Sequence, residues 1–184
     1  LKELTEEVIP FWEQYSIDQE YGGFFTCIDD HHKIYDTDKF VWLQARQVWT
    51  FATLYDRLEQ RDSWRKIAEH GSDFLESKAH DGEFNWFFSL RRDGQALVVP
   101  YNIFSYTFAC MAMGKMHQVT GAEKYKNAVD QSLKKIIERA EKPKGHWDKS
   151  FPNTRPLKNF ALPMILCNLD NELGDLVDET EKYE

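Results

Sequence analysis

The stretch Lys39–Asp56, KFVWLQARQVWTFATLYD, is apolar around nearly its whole circumference, yet carries one guanidinium, Arg46, near its middle. Phe40, Val41, Trp42, Leu43, Val48, Trp49, Phe51, Ala52, Leu54 and Tyr55 leave no broad polar face. A helix of that kind is buried on every side. A charge placed within it must be paired or must face a wet cavity. Trp42, Arg46 and Trp49 fall at i, i+4 and i+7 and share one helical face. Two readings follow. An aromatic–cation–aromatic face suits a polar ligand such as a sugar, whose CH faces stack on indole and whose hydroxyls accept from guanidinium. Alternatively, Arg46 pairs with an internal carboxylate and braces the core.

The apolar helix recurs. Pro100–Met116 (PYNIFSYTFACMAMGKM) and the run NFALPMILCNLDNEL, residues 159–173, have the same character. Phe51, Phe108 and Ile165 occupy like positions, about 57 residues apart. Between them lie one-sided helices. One, capped by Asp62-Ser63, carries the stripe Trp64, Ile67, Ala68, Gly71, Phe74 and Leu75. Another, led by Thr120-Gly121-Ala122-Glu123 as a capping box, carries Tyr125, Ala128, Val129, Leu133, Ile136, Ile137 and Ala140. Two hairpin-like connections punctuate the order. In the first, Gly22-Gly23 turns the chain, Phe24–Ile28 is a strand, and KIYD returns past the tip Asp29-Asp30-His31-His32. The second turns at Asp93-Gly94. Phe25 and Phe88 hold like places in the two.

Alternating all-apolar and one-sided helices predict an all-α ring of helix pairs, with inner helices enclosed and outer helices facing water. Three pairs form half of a closed six-pair toroid, so residues 1–184 read as a single incomplete domain with an open apolar seam. At the amino end, Leu4, Val8, Phe11, Trp12 and Tyr15 repeat at helical spacing, with a kink or break expected at Pro10. Pro143, Gly145, Pro152 and Pro156 mark a linker, Pro163 fits the first turn of the third apolar helix, and Asp175 onward suits a further amphipathic helix.

Composition excludes several classes. A net charge of −8 without a basic cluster disfavours nucleic acid and anionic membranes. No run of about 18 apolar residues exists to span a bilayer. The amino terminus lacks a signal pattern and also an initiator Met, so it need not be the native start. Cys27, Cys110 and Cys167 are scattered and odd in number, with Cys110 and Cys167 expected in the core. Without CxxC or HExxH spacing no metal is expected, and a reduced, cytoplasmic protein is the simplest reading. Walker and GxGxxG loops are absent, and no cofactor is expected.

Other chemistry-bearing residues read as ordinary. His31 and His32 belong to a solvated hairpin tip, His146 to a loop, and His70, His80 and His117 to polar faces or helix ends. Asp29-Asp30 and Asp36/Asp38 could suggest a glycosidase pair, but acids in a turn are more often solvated. Asp18 ties down the glycine turn through local backbone contacts.

The segments FWEQYSIDQEYGGFFTCIDD and YDTDKFVWLQARQVWTFATLYD resemble the N-acylglucosamine 2-epimerase family, which also includes cellobiose 2-epimerases and aldose–ketose isomerases. The motif D-x-x-x-G-G-F followed by K-[FY]-x-W-L-Q-x-R-Q-x-W carries the match. SLRRDGQALVVPYNIFSYTFACMAMGKMHQVTG and FALPMILCNLDNELGD resemble later segments in the same order. The resemblance implies an (α/α)6 barrel of which this chain supplies the N-terminal half, with the C-terminal half as its partner and a homodimer left open.

It further implies that Arg46 faces the sugar oxygens, that Trp42 lines the same cavity, and that Phe104 stands near the substrate. Phe160 and Met164 fall where cellobiose epimerases and some isomerases carry Asn and His. Apolar groups there favour an N-acyl hexosamine over a disaccharide. The implied reaction is deprotonation and reprotonation at C2 of the open-chain sugar by two histidines, with Arg46 stabilising the enediolate-like oxygen. No histidine here matches those two, so they are expected in the other half. Rival expectations are a catalytically inactive α/α module that binds a sugar or protein, a cellobiose 2-epimerase or aldose–ketose isomerase of the same family, and an (α/α) glycoside hydrolase, which would need two carboxylates in the cavity.

Overall fold

The computed structural model describes residues 2–100, 103–140 and 160–176. A π-helical turn, Leu4–Val8, runs into α1, Ile9–Tyr15, so Pro10 sits in the first turn and the expected break is a widening instead. A two-stranded hairpin follows, β1 (Cys27–Ile28) with β2 (Ile34–Asp36), as expected. Next come β3 (Lys39–Phe40), α2 (Val41–Arg57), α3 (Asp62–Lys78), β4 (Ser89–Leu90) and β5 (Ala96–Val98). The chain continues through α4 (Phe104–Thr120), α5 (Glu123–Arg139) and α6 (Ala161–Leu173), and a 3-10 turn, Gly174–Leu176, closes the described part. The linker around Pro143–Pro156 and the helix expected beyond Asp175 lie outside the described residues, save for that turn.

The first two apolar helices each pack on a one-sided partner and on the next apolar helix: α2 on α3 and α4, α4 on α5 and α6. Early residues of α2 meet early residues of α4, as Trp42 meets Phe108. Late residues meet late ones, as Asp56 accepts from Lys115 Nζ at 3.1 Å. So α2 and α4 run parallel, and α6 joins them through Asn168 to Met111 and Gln118 to Glu172. Among the described residues this is the part of the expected ring made by two helix pairs and a third inner helix, with α2, α4 and α6 inside.

The core fills the space between the layers, with Val48, Phe51, Trp64, Leu75, Trp86, Tyr106 and Met113 essentially solvent-free. Close helix approach demands small residues there. A methyl on Gly71 of α3 would lie 2.3 Å from Phe24 and 2.6 Å from Val48.

Several details differ from the sequence reading. Lys39 and Phe40 do not begin the first apolar helix. Phe40 is extended (φ −80, ψ 119), and both residues pair with β4 to make a three-stranded sheet. Only after the Val41 amide donates to Phe88 O, at 3.1 Å, does the chain coil. Likewise α4 starts at Phe104 rather than at Pro100.

Asp62 is already helical, after the extended Arg61. Gly121 is left-handed (φ 69) and ends α4, which leaves Ala122 to precede α5. Thr120 Oγ1 accepts only the Ala122 amide, so no capping box forms. Ile137 lies about 80° around the helix from Val129, off the buried stripe, and is 59% exposed. Cys110 is buried as expected, whereas Cys167 is exposed on α6.

Two clamps fasten the amino end of α2. Gln44 is buried, and its amide brackets the Phe24 peptide: Oε1 accepts the amide N–H at 2.7 Å and Nε2 donates to the carbonyl at 2.8 Å. Gly23 makes this possible, because a Cβ there would meet Gln44 Oε1 at 2.7 Å and because its φ is +69. Five residues earlier the Lys39 ammonium, fully buried, bonds Asp18 Oδ2 at 2.9 Å. Asp18 indeed ties down its turn through the Glu20 and Tyr21 amides. It also receives Arg92 Nε at 2.9 Å and a second guanidinium nitrogen at 3.1 Å, which the sequence did not suggest.

Candidate active site

Arg46 lies in the second turn of α2 and is exposed rather than enclosed. Among the described residues its guanidinium makes no salt bridge, so the core-bracing carboxylate is not found there. The guanidinium instead stands 5.7 Å from the Trp42 ring centre and 5.6 Å from that of Phe108. The two rings are 6.2 Å apart and tilted at 44°. Helical spacing places Trp42 one turn before Arg46, and parallel packing of α2 on α4 brings Phe108 across. The guanidinium thus sits over the pair of rings rather than in a salt bridge, which keeps N–H edges available for oxygen acceptors.

α2 is accordingly not buried on every side. Trp42, Leu43, Trp49 and Thr50 are half-buried. Trp49, on the same sequence face as Arg46, donates from Nε1 to Glu172 of α6 at 3.0 Å and serves as a strut. A cavity of about 350 Å³ opens on the other flank of Arg46, lined by Ile9, Trp12, Thr26, Leu43, Gln47 and Thr50 among others.

Phe104, half-buried, is the first residue of α4 and lies one turn before Phe108. Phe160 immediately precedes α6 and Met164 lies in its first turn, at 77% and 62% exposure. Among the described residues neither stands over or under the Arg46 guanidinium. The structure therefore joins Trp42, Arg46 and Phe108 directly. It puts Phe104, Phe160 and Met164 at the amino ends of the same set of inner helices. Sequence reasoning missed Phe108 as a site residue, although it follows Phe104 by four and so shares its face.

The described histidines are engaged away from this cluster. His32 stacks on Tyr15, His70 contacts Gly23 O at 3.1 Å, and His117 contacts Ala122 O at 3.1 Å. His80 stacks on Phe84, and burial pushes its pKa below the usual imidazole value. His146 lies outside the described residues. Asp29 and Asp36 accept nearby amides in exposed turns, as solvated loop acids do. Among the described residues no cluster of three His, Cys, Asp or Glu could hold a metal, and no helix is long and apolar enough to cross a membrane.

Parallel inner helices backed by outer ones, with a cation beside two aromatic rings at one end, are the architecture of an α/α toroid. The family model described as N-acylglucosamine 2-epimerase (GlcNAc 2-epimerase) matches residues 23–172, and the chain belongs to that family. It is 38% identical over 185 residues to the N-acylglucosamine 2-epimerase of Rattus norvegicus, across 97% of this chain and 44% of the rat protein. It is 32% identical over 122 residues to the cellobiose 2-epimerase of Bacteroides fragilis, across 65% of this chain and 31% of that protein. The structure of a sugar epimerase from a ruminal bacterium superposes with a TM-score of 0.76 at 19% identity, over 98% of this chain and 50% of that one. The chain thus spans less than half the length of these curated relatives, and its fold is the N-terminal half of an (α/α)6 barrel.

Proposed function

We propose that this chain is the N-terminal half of a sugar 2-epimerase that interconverts N-acyl-D-glucosamine and N-acyl-D-mannosamine. The observation that carries the reading is Arg46, an exposed cation without a salt-bridge partner among the described residues, poised over the paired rings of Trp42 and Phe108. Removing the C2 proton of an open-chain aldose leaves charge on the adjacent oxygen. A prepositioned guanidinium stabilises that charge more than it stabilises the neutral ground state, which is what lowers a barrier. Proton transfer itself is the task of residues in the C-terminal half, because the described histidines here are engaged elsewhere.

The N-acyl preference is supported by the higher and longer identity to the rat enzyme than to the cellobiose epimerase. It is also supported by Phe160 and Met164, apolar groups at the amino end of α6 that suit an acyl methyl better than a second sugar ring. Cys27, Cys110 and Cys167, all free, fit a reducing cytoplasmic setting.

Arg46→Ala in the complete protein tests the reading. Loss of one such donor should lower kcat by roughly a hundredfold or more in a C2 epimerisation assay on N-acetylglucosamine. Activity near wild type would overturn the role of Arg46, and a complete wild-type protein that leaves N-acetylglucosamine unchanged would overturn the function.

A further inference from the structure

We propose that Lys39 is a positioning residue for Arg46: its caged ammonium, acting with the Gln44 clamp, sets the axial rotation of α2. The inference rests on the role given to Arg46 above. An ammonium has three donors, and in Lys39 all three are used. They reach Asp18 Oδ2 at 2.9 Å, Gly22 O at 2.5 Å and Arg92 O at 2.9 Å. The faces of Phe74 and Phe25 close the cage at 4.7 and 5.8 Å. Lys39 thereby joins three separate segments: the glycine turn, the strand that leads into α2, and the tip of the second hairpin.

A buried ion pair is a poor way to gain stability, since well-packed apolar side chains of like volume do as well or better. What it supplies here is a fixed point. Lys39 stands two residues before α2 and Gln44 lies within its first turn, and both are tied to the 18–24 segment. Two fixed points on one side of a helix define its rotation. Trp42 and Arg46 are thereby left for the opposite, open side. Arg46 has no described carboxylate to aim it, so its direction comes from the backbone and from two rings that tolerate sliding. Displacement of a catalytic group by about 1 Å costs on the order of a hundredfold in rate.

The test uses the full-length protein. Lys39→Met keeps the stem and removes the charge. Its kcat for N-acetylglucosamine epimerisation should fall at least tenfold while KM changes less than about threefold, at temperatures where circular dichroism shows a folded protein. The same substitution made in an Arg46→Lys background should cost little further, because the group being positioned has already been lost. A folded Lys39→Met protein with wild-type kcat overturns the proposal, as does an equal loss in both backgrounds, which would mark a merely structural role. If Lys39→Met does not fold, the half-exposed Arg92→Gln loosens the same cage, and an unchanged kcat there overturns it equally. Arg46→Lys at wild-type activity would instead overturn the role given to Arg46, whatever Lys39 does, and a wild-type protein without epimerase activity would overturn the proposed function.

Discussion

Asp18 shows how a residue takes its meaning from partners far away in sequence. Burial alone would raise its pKa. Hydrogen bonds from Arg92 and Lys39 outweigh that effect, helped by the Tyr21 amide, and hold it at about 2. A carboxylate depressed in the folded state contributes stability that is fully present above its unfolded pKa of about 3.9 and is lost as pH falls through the folded value. Urea midpoints should therefore drop between pH 4 and pH 2, with Asp18 accounting for about 2 kcal/mol of the loss. Asp18→Asn should be less stable at neutral pH and show a flatter slope across that window; identical slopes would refute the assignment. The sequence showed Asp18 beside a glycine turn, and the local half of its role was legible there. Its pairing with Arg92 was not, because two hairpins that are separate in sequence meet only when β3 joins β4. The adjacency of Arg46 and Trp42 was legible because a cation at helical spacing from indoles on an otherwise apolar helix stands out.

At the level of elements, apolar periodicity located each α-helix among the described residues, since burial on one side or all sides is written directly into spacing. Ends were harder. Strand pairing took Lys39 and Phe40 from α2, and the left-handed Gly121 moved the start of α5, both decided by neighbours rather than by local preference. The contact between α2 and α3 depends on the missing side chain of Gly71. Gly71→Ala should cost about 1–3 kcal/mol, read from urea unfolding, because Phe24 and Val48 have to move. A variant as stable as the parent would show that the two helices can separate without penalty.

For the whole molecule, the ring of helix pairs followed from the repeat, but the sequence could not show which parts of the inner helices stay open. α6 carries an apolar cavity of about 370 Å³ lined by Leu162, Pro163, Leu166, Cys167 and Asp170. Phe160 and Met164 are exposed beside it. Surfaces of this kind seek cover. The 184-residue chain expressed alone should sediment as dimers or larger species, and Met164→Lys with Leu166→Lys should shift it toward monomer. A monomeric parent would show that the seam is tolerated in water.

The parallel course of α2, α4 and α6 has an electrical consequence. Peptide dipoles sum along each helix to about half a positive charge at the amino end. Three such ends gather on one face, beside Trp42, Phe104 and Phe160. That face is biased toward anions by backbone alone, so charge developing on a bound oxygen would meet a field already in place before Arg46 adds its own.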